Sequence, residues 1–240
     1  MSEPFIEDDI TRAKRGLMWM RLEDSLRGTG CPVCSEVERT EKHYLEGILY
    51  EYVLDAGVRK KLHDQHGLCS RHAKLSLSAE VKLGSDGLHL ATMFETVVED
   101  NLRLLENQAR QLEEIAVQKG NRKARKGVRT VDAGECFACQ FVKESESISV
   151  YAVGYFSGDD KFIEIYRRSN TLICFRHLQM LIKEKVSTRT IYVTLEKLNR
   201  LKHNLSNFMK KHDYQATHDY TQEELDSYLD VVNFFSGQMR

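Results

Sequence analysis

Two short motifs decide the fold of this chain, CPVC at residues 31–34 and CSRH at residues 69–72. Each recurs 105 residues later, as CFAC at 136–139 and CFRH at 174–177, and 34 residues separate the paired motifs in both cases. All six cysteines of the chain belong to these motifs. The sequence therefore predicts an internal duplication in which each half carries one Cys3His set.

Three thiolates and one imidazole are the ligands that tetrahedral Zn²⁺ prefers. Pairing the motifs that are neighbours in sequence predicts two zinc ions per chain. The first site consists of Cys31, Cys34, Cys69 and His72, and the second of Cys136, Cys139, Cys174 and His177. Four protein ligands leave no position for water or substrate, which is typical of structural rather than catalytic zinc.

Two further residue types recur beside the ligands. Arg71 and Arg176 each precede a ligand histidine, where they can offset the negative charge of the thiolates or donate to one of them. Glu41 and Glu146 also match at the 105-residue offset. A glutamate there can orient a ligand histidine or act as a base, although the sequence favours an exposed helix charge.

An iron–sulfur cluster or a redox- or metal-sensing centre is the alternative use of the same ligands, because thiolates bind both metals. A disulfide framework is disfavoured because the N-terminus shows no export signal. A thioredoxin-like C-x-x-C is disfavoured because the flanking segments have a helical rather than a βαβ pattern.

The hydrophobic pattern predicts an all-α fold of two pseudo-symmetric helical halves, since strand alternation is weak and only two prolines are present. We expect a metal-binding half at 1–118, a basic linker at 119–135, and a second metal-binding half with an extra terminal helix at 136–240. The predicted helices cover 8–27, 35–54, 69–82, the segment from Gly87 to Val117, 140–156, a helix from Cys174, one after Ser187-Thr188, and one from Thr221, where Thr221 and Glu224 form a capping box.

The sequence contains neither a candidate membrane span nor a known catalytic motif. No apolar run approaches the roughly 18 residues of a membrane span, so we expect a cytoplasmic protein without a membrane partner. No Ser-His-Asp order, phosphate-binding glycine loop or H-E-x-x-H motif is present, so the sequence gives an enzymatic activity no positive support.

The charge distribution bears on partners. Residues 1–118 hold 15 Lys/Arg against 21 Asp/Glu, and residues 119–240 hold 20 against 15. Unequal halves can pack head to tail in a homo-oligomer or bind a protein partner, and the leading hypothesis is a scaffold or adaptor. Nucleic-acid binding through the basic linker and the second half is another possibility; the basic residues of the linker are Arg122, Lys123, Arg125, Lys126 and Arg129.

The paired motifs resemble those of an uncharacterised prokaryotic family, a domain of unknown function with duplicated C-P-x-C and G-[FL]-C-x-x-H halves. The resemblance covers most of residues 28–200 and implies that the same eight Cys and His residues are the ones that matter. The second half departs from it at Phe137, where proline is usual, and at Leu172, where glycine is usual. The resemblance implies no reaction.

Overall fold

The computed structural model describes residues 9–117, 127–128, 130–131, 134–212 and 219–237. Within these residues the chain is helical apart from two strands of two residues each, which confirms the all-α prediction. The elements are α1 (Asp9–Leu26), β1 (Thr29–Gly30), α2 (Pro32–Tyr50), α3 (Ala56–Asp64), α4 (Ser70–Lys82), α5 (Leu88–Val117), α6 (Phe137–Phe156), α7 (Asp160–Arg168), β2 (Asn170–Thr171), α8 (Phe175–Lys183), α9 (Thr188–Lys211) and α10 (Gln222–Ser236).

Helix ends follow local capping chemistry. The predicted capping box at Thr221 and Glu224 is present at the start of α10. The side chains of Asp55 and Asp159 accept backbone N–H bonds at the starts of α3 and α7. The helix predicted from residue 35 begins earlier, at Pro32, because proline is well suited to the first position of a helix. Pro32, Val33 and Cys34 of the CPVC motif therefore belong to the first turn of α2, and Cys31 directly precedes it.

The chain forms two compact units, and neither follows the predicted halves. Unit 1 contains residues 1–39 and 144–240, and unit 2 contains residues 40–143. Each unit thus draws residues from both sides of the predicted linker. The basic residues of that linker, Arg122, Lys123, Arg125, Lys126 and Arg129, lie outside the described residues.

Unit 1 has a core built from α1, α7, α8 and parts of α2, α6 and α9. Trp19 packs edge-on against Phe156, with ring centroids 5.0 Å apart. The buried members of this core are Leu22, Leu26, Cys31, Val33, Val150, Val153, Phe156, Phe162, Ile163, Tyr166, Ile173, Cys174, Leu181 and Val193.

A two-strand parallel pair in unit 1 joins distant parts of the chain. Thr29 pairs with Asn170 and Gly30 with Thr171, and Leu172 N–H donates to the carbonyl of Gly30 at 2.8 Å. The sequence pattern missed this pair because two residues show no alternation. The pair brings the chain just before Cys31 beside the chain just before Cys174.

Buried polar contacts support the same segment. The hydroxyl of Tyr166, a fully buried residue, accepts from Ile173 N–H at 3.3 Å and lies 3.0 Å from Thr194 Oγ1. Lys197 Nζ donates to the carbonyls of Ser169 and Thr171 at 2.6 and 3.0 Å. These contacts satisfy backbone groups that would otherwise be buried without partners.

Unit 2 has its own core, formed where α3, α4 and the first part of α5 meet residues of α2 and α6. Arg59 on α3 donates to the carbonyl of Thr92 at 3.0 Å and to Thr96 Oγ1 at 2.6 Å, which ties α3 to α5. The rings of Tyr44 and Phe141 stack with centroids 3.7 Å apart. The buried members of the core are Leu45, Ile48, Leu49, Leu62, Ala79, Met93, Val97, Cys136, Phe137 and Ala138.

Substituting Tyr166→Phe removes the acceptor of the Ile173 N–H and leaves that buried donor unpaired. We expect the free energy of unfolding to fall by about 1–3 kcal/mol, measured by urea denaturation. Tyr192→Phe is the matched control, because Tyr192 is 65% exposed. Equal stability of the two variants would contradict a supporting role for Tyr166.

Candidate metal centres

The structure brings the eight Cys and His residues together in two groups of four, one in each unit. Cys31, Cys34, Cys174 and His177 meet in unit 1, and Cys69, His72, Cys136 and Cys139 meet in unit 2. Within each group, the potential ligand atoms all lie within 4.8 Å of one another. Each group can therefore hold one metal ion.

The pairing predicted from sequence is wrong. Cys31 and Cys34 do not meet Cys69 and His72, and Cys136 and Cys139 do not meet Cys174 and His177; each C-x-x-C instead meets the C-x-x-H of the other repeat. The reason lies in helix length. The 19 residues of α2 rise about 28 Å and the nine residues of α3 only about 13 Å, so the chain does not return to Cys31 by Cys69.

The unit 1 group, which we call site A, is built at two helix starts. Cys31 precedes α2 and Cys34 lies in its first turn, whereas Cys174 is the N-cap of α8 and His177 lies in its first turn. Nδ1 of His177 is 3.4, 3.3 and 3.2 Å from the sulfurs of Cys31, Cys34 and Cys174. The sulfurs of Cys34 and Cys174 are 3.8 Å apart.

The unit 2 group, site B, repeats this arrangement. Cys69 is the N-cap of α4 and His72 lies in its first turn. Nδ1 of His72 is 3.2, 3.8 and 3.4 Å from the sulfurs of Cys69, Cys136 and Cys139, and the sulfurs of Cys69 and Cys139 are 3.7 Å apart. The side-chain carbonyl of Gln65 accepts from Phe137 N–H at 2.7 Å, which holds the start of α6 beside the segment that leads to Cys69.

These distances fit a single tetrahedral ion. Bonds of about 2.3 Å to sulfur and 2.0–2.1 Å to nitrogen, at tetrahedral angles, place two sulfurs about 3.8 Å apart and sulfur about 3.6 Å from nitrogen. The described sulfur pairs are 3.7 and 3.8 Å apart, and the Nδ1-to-sulfur distances run from 3.2 to 3.8 Å. In both groups Nδ1, not Nε2, is the imidazole nitrogen that faces the sulfurs.

A glutamate fixes the orientation of each histidine; Glu41 is buried and Glu146 half-buried. In site B, Nε2 of His72 is 2.9 Å from Glu41 Oε1, and in site A, Nε2 of His177 is 2.9 Å from Glu146 Oε1. A carboxylate there selects the tautomer with the proton on Nε2 and leaves Nδ1 free to bind metal. The reading of these glutamates as exposed charges is wrong, since Glu41 is 2% exposed and the Glu146 side chain 13%.

The two arginines contact these glutamates rather than the thiolates. Arg71 donates to both carboxylate oxygens of Glu41, at 3.1 and 2.7 Å, and Arg176 donates to Glu146 Oε2 at 2.7 Å. Both guanidinium groups are largely exposed to solvent, with side chains 68% accessible. Each ligand histidine is thus the inner end of an Arg–Glu–His chain that runs from the surface to the sulfurs.

Two cysteines of each group have pKa values that are shifted in opposite directions. Hydrogen bonds from Cys31 and Cys34 hold the pKa of Cys174 well below its ordinary range, whereas burial raises the pKa of Cys31 well above it. In site B, burial raises the pKa of Cys69, but hydrogen bonds from the His72 backbone N–H, the Cys139 thiol and the Arg71 backbone N–H together outweigh it, and the net pKa is lowered. Burial and the neighbouring thiols raise the pKa of Cys139 to about 12.

Cys174 in site A and Cys69 in site B therefore ionise easily, whereas Cys31 and Cys139 resist a second negative charge beside them. A divalent cation removes that conflict, because it stabilises all three thiolates at once. This chemistry, like the distances, suits a metal ion.

The sequence model of DUF6062, described as a family of unknown function, matches residues 14–240. This chain belongs to DUF6062. No curated protein and no solved structure matches it. The prediction of an uncharacterised family is confirmed.

Other histidines of this DUF6062 chain have different partners. His63, near the first C-x-x-H in sequence, makes a short contact with Asp100 and lies 3.1 Å from Thr96 Oγ1. A residue that sequence reasoning missed is Gly237, at the end of α10. A Cβ built there would lie 3.2 Å from Cys34 Sγ, and its φ of 74° also favours glycine. No motif marks this position in the sequence.

Double cysteine variants distinguish the two pairings. Cys69 and Cys136 belong to one site in the structure but to two sites in the sequence pairing. We expect the Cys69→Ser/Cys136→Ser protein to keep one metal ion per chain, measured by elemental analysis. The reciprocal control, Cys31→Ser/Cys69→Ser, removes a ligand from both sites and should lose both ions. If the Cys69→Ser/Cys136→Ser protein lost both ions and the Cys31→Ser/Cys69→Ser protein kept one, the pairing predicted from sequence would be correct.

Removing the carboxylate behind a ligand histidine tests its orienting role. Glu146→Ala leaves Nε2 of His177 without its acceptor, and we expect metal affinity at site A to fall about 10–100-fold, measured by chelator competition. Site B provides an internal reference within the same molecule. Glu144→Gln, an exposed position on the same helix, should leave both affinities unchanged. A fall at both sites would indicate general destabilisation instead.

Proposed function

We propose that this protein is a structural zinc protein in which two closed Cys3His sites hold helices in place for a scaffolding or adaptor role. The observation that carries the proposal is the Glu–His–Nδ1 arrangement facing three sulfurs, found in both units. A site built in this way supplies all four ligands of a tetrahedral ion and orients the imidazole for it.

The choice of zinc over a cluster rests on the spread of the ligand atoms. All four potential ligand atoms of each group lie within 4.8 Å of one another. An iron–sulfur cluster has several irons, and thiolates bound to different irons must lie farther apart than thiolates that share one ion. The compact groups therefore favour a mononuclear site, and zinc is the usual metal for three cysteines and one histidine.

The structural role follows from the closed ligand set and from where the ligands come from. Each site joins segments distant in sequence, so that metal binding closes a long loop of chain. Binding then contributes directly to folding free energy, because the unfolded chain holds no preformed site. The biochemical role that we propose for helices held in this way is the binding of other macromolecules.

Two alternatives remain hypotheses. A mononuclear iron or redox centre uses the same ligands and differs in its metal and its colour. Nucleic-acid binding depends on linker residues that lie outside the described part of the chain.

Among the helices that the structure describes, none combines the length and apolar character needed to cross a membrane.

Elemental analysis of anaerobically purified protein, with an absorption spectrum of the same sample, tests the proposal. We expect two zinc ions per chain and no visible absorption band. Chelation of both ions should unfold the helices, seen as a loss of far-ultraviolet circular dichroism, because the sites supply folding free energy. Stoichiometric iron, with or without sulfide, would overturn the assignment.

A further inference from the structure

The long helix α5 has an apolar surface that the core of unit 2 does not use. α5 spans Leu88–Val117, 30 residues, but its members of the core lie within the first third, ending at Val97. Beyond that point an exposed apolar row continues, which we call the α5 seam. Its residues are Val98, Leu102, Leu105, Ala109, Leu112 and Ala116.

The seam is continuous and regular. Its members are alternately four and three residues apart, the spacing of the a and d positions of a coiled coil. The four large side chains, Val98, Leu102, Leu105 and Leu112, are between 54% and 60% exposed. Surface hydrophobic residues are ordinarily scattered, and a contiguous row of them marks an interaction site.

The seam is not a by-product of the repeated motifs. The positions 105 residues after Val98, Leu102 and Leu105 are His203, Asn207 and Lys210. Three polar residues thus replace the apolar row in α9. The apolar row of α5 is therefore not shared by α9, and it requires its own explanation.

Side chains beside the seam indicate its occupant. With Leu102 at an a position, the e positions are Glu99, Glu106 and Glu113, and the g positions include Asn101 and Gln108. In a parallel pair of α5 helices, g positions face the partner's e positions, so neutral amides lie opposite carboxylates. In an antiparallel pair the e positions face each other, so the glutamates of the two copies would repel one another. Arg103, 3.7 Å from Glu99, offsets part of that repulsion at one position, and Glu106 and Glu113 carry the rest.

We propose that two copies of this chain associate through the α5 seam, with their α5 helices parallel and in register. Equivalent seam residues then meet: the leucines and Val98 form the large layers, and Ala109 and Ala116 allow close approach. Such a symmetric contact is the commonest form of homo-oligomer. It also covers a helical segment that would be marginally stable alone. This inference rests on the proposed scaffolding role, for which it supplies the interaction surface.

The oligomeric state of the full-length, zinc-loaded protein tests the inference. Light scattering coupled to size exclusion should give twice the chain mass of 27.8 kDa at micromolar concentration. Leu105→Lys places charges at the centre of the seam and should give the single-chain mass. Leu77→Lys is the matched control, an exposed leucine on α4, and should remain dimeric.

Orientation is tested by Leu105→Cys under mild oxidation. A parallel, in-register pair brings the two copies of residue 105 together and gives a disulfide-linked dimer on a non-reducing gel, whereas Leu77→Cys gives none. A single-chain mass for the wild type would overturn the inference. So would a dimer that survives Leu105→Lys but dissociates with Leu229→Lys, since Leu229 is exposed on α10.

Zinc content separates this inference from the proposed function. Leu105→Lys should keep two zinc ions per chain, because the seam contains no ligand. A zinc-free wild type would contradict the structural zinc proposal, whatever its mass. A wild type that holds two zinc ions and has the single-chain mass would contradict only the dimer.

Discussion

Each unit depends on the convergence of three sulfurs and one imidazole nitrogen from two distant segments of the chain. The outer pair of segments, around Cys34 and Cys174, is separated by 139 residues, and the inner pair, around His72 and Cys136, by 63. If each C-x-x-C had paired with the next C-x-x-H along the chain, the closed loops would have contained only 34 residues. Two doublings of loop length add roughly 1.2 kcal/mol to the entropic cost of closure, a small term beside the roughly 10–16 kcal/mol that structural zinc supplies in small zinc domains.

The helices determine how those ligands meet. Cys69 and Cys174 occupy N-cap positions, and each histidine follows one turn later on the same helix. Backbone N–H groups at a helix start favour negative charge, which suits a thiolate. Across from them, Glu41 and Glu146 hold each imidazole by Nε2. The fold thus fixes two of the four ligands through one helical turn and one carboxylate, and the other two through the start of a second helix.

The sequence marked the eight Cys and His residues that the structure gathers into two groups, and it predicted a helical fold, because both follow from residue type and local periodicity. It also marked Glu41 and Glu146, through their recurrence at the same offset. It did not predict which motifs meet. The number of residues between two motifs does not specify the direction in which the intervening helix leads the chain. The pairing depends on the 19 residues of α2 and on a strand pair of two residues, Thr29–Gly30 with Asn170–Thr171. The helix itself was predicted at 35–54, but neither the direction in which it carries the chain nor the two-residue strand pair has a sequence signature.

The nested order of the two sites has a consequence for synthesis on the ribosome. Site B is complete once Cys139 has emerged, whereas Cys31 and Cys34 must wait for Cys174 and His177. During that interval the nascent chain already holds CPVC and CSRH, four ligands that could capture zinc in the wrong combination. Helix formation is local and fast compared with translation. We therefore expect an early α2 to act as a spacer that keeps CPVC away from CSRH until the second histidine motif, CFRH, has been made.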